Sequence, residues 1–365
     1  MQEDFHYYAT YCAAYLAGFS HEDSMDICYS AQFVDLCSRT LLNKLKAPAS
    51  AATTQLQLEM MDARTDIIGL QDITRIWASF HFLPRDLYAK KDKRPKRYMN
   101  RYRLICGPNG DLLARTVENA FGKGLQHTGI AMHVLADTWA HTYFAGTPSF
   151  VINNVDPAFY ELTESEGKEE WRRVTFRHAP STPDDIEKGL YTNSIYKGTE
   201  NSVMNLGHGR AGHLPDYSFA RYKYMPAWAD YAEIVKDNPH DYVKAFTQMV
   251  YAMKYLRGTV LSFETDKYDE SVMDEHGDRI REIINKRRLI ASDDWKAFGE
   301  SLSGQAVYDF DINRYQDEYM AASGVEKDET FIGRFIKGAL SHKGMVTDEI
   351  FKSGNILAGF SKVVL

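Results

Sequence analysis

The run His133-Val134-Leu135-Ala136-Asp137-Thr138-Trp139-Ala140-His141 decides how this chain is read. A helix turns about 100° per residue, so a step of four returns to within roughly 40° of its start and rises ~6 Å. His133, Asp137 and His141 therefore fan over about 80° of one helix face. Val134, Leu135, Ala136, Trp139 and Ala140 between them are apolar, which predicts a helix buried nearly all round. Buried ionisable groups need a partner. A metal cluster satisfies all three at once.

Outward from this helix the periodicity stays helical. Residues 4–18 read as a helix, and Ser20 caps a second with Asp23 as its acidic N3 residue. Residues 67–80 are helical, and Pro84 ends the apolar run Phe80-His81-Phe82-Leu83. Asp111 opens a helix to about Ala120, and the central helix runs on to about Phe144 before Gly146-Thr147-Pro148 closes it. Residues 147–226 read as irregular, with several Pro and Gly. Helices return at 226–236, 240–257, 272–288, 293–303 and 311–322, with shorter ones beyond 328. The expectation is an all-α protein with a long irregular insertion and extra C-terminal helices. A metal-binding helical domain would span 1–226, and a helical extension, 227–365, would pack on it.

Composition narrows the class. Hydrophobic residues at 44% and charged ones at 25% are ordinary globular values, and 365 residues supply ample core. A net charge of −7 argues against global nucleic-acid binding. Cys12, Cys28, Cys37 and Cys106 show no CxxC spacing and read as buried thiols of a reducing compartment. No run approaches a membrane span, and Glu3, Asp4 and His6 stand where a signal peptide carries basic residues, so a cytoplasmic location is expected. The basic tract at 88–103 (Lys90, Lys91, Lys93, Arg94, Lys96, Arg97, Arg101, Arg103) reads first as a solvated loop. Its functional alternative is attraction of an anionic membrane surface or polyanion.

Further candidate ligands lie beside the central helix: His81 in Phe80-His81-Phe82-Leu83-Pro84, His6 after Asp4, and Asp35 closing Ala31-Gln32-Phe33-Val34-Asp35. A glycine-rich stretch follows, Gly207-His208-Gly209-Arg210-Ala211-Gly212-His213-Leu214-Pro215-Asp216. Mixed His and carboxylate donors without thiolates favour Zn²⁺ or another borderline divalent ion. His127 sits roughly 120° off the ligand face and reads as packing. His178 reads as a loop residue, and His21, His240, His276 and His342 as surface or capping positions. An HD-type site at His240-Asp241 is rejected, because the pair opens a helix just after Asn238-Pro239.

These elements resemble the zinc-dependent phospholipase C / S1–P1 nuclease superfamily. Its central His-x3-Asp helix is matched by His133, Asp137 and His141, its His-Phe-x-x-Pro element by His81 to Pro84, and its Ala-x-x-x-Asp helix end by Ala31 to Asp35. His6 matches an early N-terminal His, and the start Asp4-Phe5-His6-Tyr7-Tyr8 is similar to a bacterial branch of the superfamily. The likeness covers roughly residues 1–220. It implies an all-α fold and two or three zincs. Asp35, His81, His133 and Asp137 would surround one, and His6 with a bridging Asp137 a second. His141 would join His213, and either His208 or Asp216, around a third. Several members bind zinc through their mature N-terminal residue. Here Met1 precedes Asp4 by three positions, so Asp4 stands in as an anionic ligand or that zinc is absent.

The implied activity is metal-dependent phosphodiester hydrolysis of a phospholipase C-like kind, with Asp35 as ligand or base and Arg210 gripping a phosphate oxygen. The same centre acting on nucleic acid is the alternative enzyme. A non-catalytic protein whose metals staple its helices is the alternative of another class. It requires saturated metals with no open position.

Overall fold

The computed structural model describes residues 1–90, 93–165, 167–178, 181–193 and 206–362. The chain enters on a π-helical turn, Asp4–Ala9, that runs into α1 (Thr10–Leu16). Then come α2 (His21–Phe33), the short α3 (Arg39–Lys44), α4 (Gln57–Ala63) and α5 (Ile67–Phe80). Ser20 caps α2 through a bond from Asp23 N to its Oγ, 3.1 Å. After α6 (Lys96–Tyr102) and α7 (Asp111–Ala120), α8 (Leu125–Ala140) carries the central motif.

All residues of α8 from Thr128 to Ala140 are buried, as its apolar spacing requires. It lies between α2 and the later helices α11 (Asn238–Leu256) and α15 (Phe331–Lys352), with α7 alongside. The α2–α8 approach depends on Gly129, where an added Cβ would stand 2.4 Å from the Ile27 carbonyl oxygen and 2.5 Å from Ser30 Cβ. Ser30 Oγ donates to Gln126 O across the same seam, 2.9 Å. Met132, Val134 and Leu135 are fully buried there, each contributing about 1.5–3 kcal/mol of apolar burial.

The all-α expectation is overturned in the segment that read as irregular. Helices dominate, but β1 (Tyr160–Ser165), β2 (Lys168–Arg173), β5 (Arg221–Tyr224) and β6 (Ile234–Asp237) form an antiparallel sheet in the order β2-β1-β5-β6. A parallel pair, β3 (Thr175–Arg177) and β4 (Leu190–Thr192), stands with it. The expected helix at 226–236 is a 3-10 turn at Ala227–Ala229 followed by β6. The inward row pairs Glu161 with Tyr222 and Tyr222 with Lys236, not aliphatic residues, so no apolar alternation marked these strands. Glu161, 2% exposed, is satisfied by Arg172 at 2.7 Å, Arg287 at 3.0 Å and Tyr191 Oη at 2.8 Å. The small helices α9 (Phe150–Asn153) and α10 (Gly207–Ala211) border the sheet.

Beyond β6, α11, α12 (Ser271–Asn285) and α13 (Ser292–Ser303) follow the periodicity, whereas the helix expected at 311–322 is confined to α14 (Gln316–Ala321) and the short helices expected beyond 328 are instead one of 22 residues, α15. Residues from both sides of position 227 share one apolar core running from Met1 to Ala358. A second core under the sheet gathers Phe82, Phe144, Phe159, Leu214, Tyr217, Tyr222 and Tyr224. His342 is no surface residue: it is 3% exposed and donates from Nε2 to Ser79 O, 2.8 Å, and burial pushes its pKa down to about 4. His21 is likewise buried, against Tyr11 Oη at 2.7 Å. All four cysteines are buried free thiols. Among the described residues, no helix is long and apolar enough to cross a membrane.

In the basic tract, Arg101 is buried, bonding Ala227 O at 2.6 Å and Asp230 at 2.7 Å, and Arg103 bonds Ala89 O. These two are structural. Lys90, Lys93, Arg94, Lys96 and Arg97 are exposed, and Lys91 lies outside the described residues.

Candidate metal centre

Six separate elements deliver their side chains to one place. His133 and Asp137 come from successive turns of α8, and His141 is that helix's C-cap. His6 comes from the π-helical turn, a form common at functional sites. Its ring stacks on His133, with centroids 3.8 Å apart. Asp35 follows the end of α2, and His81 is the C-cap of α5. His208 lies on α10, and Asp216 closes a 3-10 turn, Leu214–Asp216. Three groups of potential ligand atoms result: His6 with His133 and Asp137; Asp35 with His81 and His133; His141 with His208 and Asp216.

The outer nitrogens of three imidazoles are already committed. His133 Nδ1 donates to Ala31 O at 2.9 Å, His81 Nε2 to Thr53 O at 3.0 Å, and His141 Nδ1 to His81 O at 2.7 Å. A neutral imidazole that donates from one nitrogen presents a lone pair on the other. The lone pairs of His81 Nδ1 and His133 Nε2 therefore face each other at 3.3 Å, and each lies 3.2 Å from Asp137 Oδ2. Asp35 Oδ1 closes the group at 3.7 Å from His81 and 3.9 Å from His133. Four potential ligand atoms thus converge, and none of His81 Nδ1, His133 Nε2 and Asp137 Oδ2 has a proton to offer the others. That arrangement is repulsive by itself and suits a cation. Backbone carbonyls holding the far nitrogen are also how ligating histidines are usually oriented.

Burial pushes His133, His6 and His141 down to about 4, so these rings are neutral near pH 7. Burial also raises Asp35 above the ordinary carboxylate range. Asp137 and Asp216 are held well below it, because nearby imidazoles and an ammonium group outweigh their burial. That ammonium is the α-amine of Met1, which the sequence reading passed over. It lies 2.9 Å from Asp137 Oδ1, 3.2 Å from Asp216 Oδ1 and 3.2 Å from His141 Nε2. Burial works to lower its pKa, but the carboxylates of Asp137, Asp216 and Asp35 raise it to about 11. A positive charge thus already sits between the second and third groups.

Asp4 is placed elsewhere. Its Oδ2 accepts from Ala291 N at 2.9 Å, and it joins none of the three groups. Its side chain ties the π-helical turn to the start of α13, while the chain bends so that Met1 reaches the cluster. His213 also stays out: its Nδ1 reaches Asp216 Oδ2 at 3.4 Å, and its side chain is 55% exposed. Asp216 Oδ1 meets both His141 and His208 at 3.2 Å, so the alternatives left open for the third position resolve to His208 and Asp216 together. Arg210 is 4% exposed on α10, where Asn193 donates to its carbonyl, so its guanidinium is not displayed on the rim with His213. Asp35, with 28% of its side chain exposed, and His208, with 19%, also reach the rim.

The family described as DUF6765, a family of unknown function, matches residues 1–350, and the chain belongs to it. No curated protein and no solved structure matches the chain.

Proposed function

We propose that this DUF6765 member is a metal-dependent phosphodiester hydrolase, phospholipase C-like in kind, holding two or three divalent cations, with zinc the best fit. The observation that carries the reading is the convergence of four potential ligand atoms, His81 Nδ1, His133 Nε2, Asp137 Oδ2 and Asp35 Oδ1, with 3.2–3.9 Å between imidazole and carboxylate atoms. Ligands about 2.0–2.2 Å from a tetrahedral ion stand roughly 3.3–3.6 Å apart, so His81, His133 and Asp137 would hold such an ion and leave its fourth position to water beside Asp35, and the N/O donor set without thiolate suits Zn²⁺. Bound cations would neutralise phosphate oxygens and acidify water toward neutral pH.

The chain's own residues would do the rest. His6, Asp137, His141, His208 and Asp216 would hold the neighbouring cations. Asp35, at the rim, takes the proton of the attacking water as its oxygen bonds phosphorus. The phosphorus–alkoxide bond then breaks, and the alkoxide takes up a proton from solvent as Asp35 returns its own to solvent, leaving the free alcohol beside a phosphomonoester. The partial exposure of Asp35 and His208 favours an accessible centre over a sealed structural staple.

The test is hydrolysis of bis(p-nitrophenyl) phosphate by zinc-loaded protein, with His133→Ala alongside. Release of one p-nitrophenol per diester, lost by about 100-fold or more in the variant, is expected for a ligand to the reacting centre. Turnover unchanged in His133→Ala overturns the reading. Phospholipid and oligonucleotide diesters, run next, separate the two substrate classes.

A further inference from the structure

We infer that the first turn of α11 sets the third cation position, and that Asn238 and Tyr242 are positioning residues for Asp216. The inference rests on the metal reading above and gives the helices after residue 227 a part in the centre.

Asp216 sits on a weak support. Its 3-10 turn is three residues long and contains Pro215, and Gly212 before it adopts φ +61°. A Cβ at Gly212 would lie 2.3 Å from Thr192 O, so the chain has no room to shift toward β4. The turn's own backbone bonds are Asp216 N to His213 O, 2.9 Å, and Tyr217 N to His213 O, 3.2 Å. Its carbonyls are held from α11. Asn238 Nδ2 lies 2.9 Å from Leu214 O, 3.3 Å from Pro215 O and 2.8 Å from Tyr217 O. Tyr242 Oη donates to Asp216 O at 2.8 Å and reaches Pro215 O at 3.3 Å.

Both clamp residues are buried, Asn238 at 0% and Tyr242 at 1% exposure. Asn238 Oδ1 has no hydrogen-bond partner among the described residues. An unpaired buried acceptor is unfavourable, so it is the donor side of this amide that accounts for its place. The clamp matters because α11 also packs on α8, which carries His141. Trp139 Nε1 donates to Gln248 Oε1 at 2.7 Å, joining the two helices beside that ligand, and Lys236 Nζ of β6 donates to Trp139 O at 3.0 Å. The span from His141 to Asp216 is therefore set by helix packing and transmitted through Asn238 and Tyr242.

The experiment counts metal in the full chain by elemental analysis. It then follows Co²⁺ titration by visible absorption for wild type, Asp216→Ala, Tyr242→Phe and Asn238→Ala. Wild type should take three equivalents and Asp216→Ala two. Tyr242→Phe, which removes only a hydroxyl, should weaken the third equivalent by about 10–100-fold and leave the first two at wild-type affinity, the range for loss of an outer partner. Asn238→Ala should do the same, and if it does not fold, Tyr242→Phe decides alone. A third equivalent that needs Asp216 yet binds normally in Tyr242→Phe overturns the clamp. A wild type that never takes an Asp216-dependent equivalent overturns it as well. A wild type with no metal at all sinks the underlying metal reading, a result distinct from either.

Discussion

The two halves of the centre are built by different means. On one side, His133, Asp137 and His141 ride a single buried helix, and backbone carbonyls from Ala31, Thr53 and His81 orient the imidazoles around it. On the other, His208 and Asp216 sit on a five-residue helix and a three-residue turn beside a sheet, held through side chains of a distant helix. The first half inherits its geometry from helical periodicity and close packing at Gly129. The second owes its geometry to long-range hydrogen bonds. A ligand set can therefore be rigid on one flank and conditional on the other.

The largest expected effect comes from Asp137→Ala. Both oxygens are used, Oδ1 by His6 and the Met1 ammonium and Oδ2 by His81 and His133. Elemental analysis should find at most one residual metal, with affinity at the first two positions down by at least about 100-fold, beyond the 10–100-fold of an outer partner. Wild-type metal content in this variant would break the comparison at its stronger half. Asp216→Ala should act on one position alone, removing a single equivalent. Simultaneous loss of all metal there would show that the two halves are one unit.

Glu161→Gln addresses the sheet that carries the weaker half. Arg172 and Arg287 are 29% and 33% exposed, so the lost ion pairs are partly screened. A loss of about 1–2 kcal/mol in denaturant unfolding is expected, with the Asp216-dependent equivalent weakened and the α8 pair unaffected. Equal weakening of all equivalents would contradict the division. The smallest effect belongs to Asp4→Asn. An amide oxygen still accepts from Ala291 N, so metal content should not change and stability should move by less than about 1 kcal/mol. Loss of a metal in Asp4→Asn would restore Asp4 as a ligand.

What could be read from the residues alone divides along the same line. The α8 triad was legible because helical spacing dictates the direction of its side chains, while Asp35 and His81 were reached through the resemblance of their short motifs to those of a known family. His6, on a π-helical turn, was likewise reached through the resemblance. The strands were not legible, because their inward side chains are Glu161, Tyr222 and Lys236, whose burial is balanced by partners far along the chain. Nor was the role of the Met1 amine, a backbone group that no side-chain motif advertises.

Sequence by itself determined a helical body with His133, Asp137 and His141 on one buried face, since 3.6-residue periodicity fixes side-chain azimuth without reference to the rest of the chain. Only the tertiary structure decided that Met1 and not Asp4 reaches the cluster, and that His208 and Asp216 enter it while His213 remains at the rim. In a turn of three residues no periodicity governs where a carboxylate points. Its direction comes from Asn238 and Tyr242, more than twenty positions away, and such contacts exist only once the helices have packed.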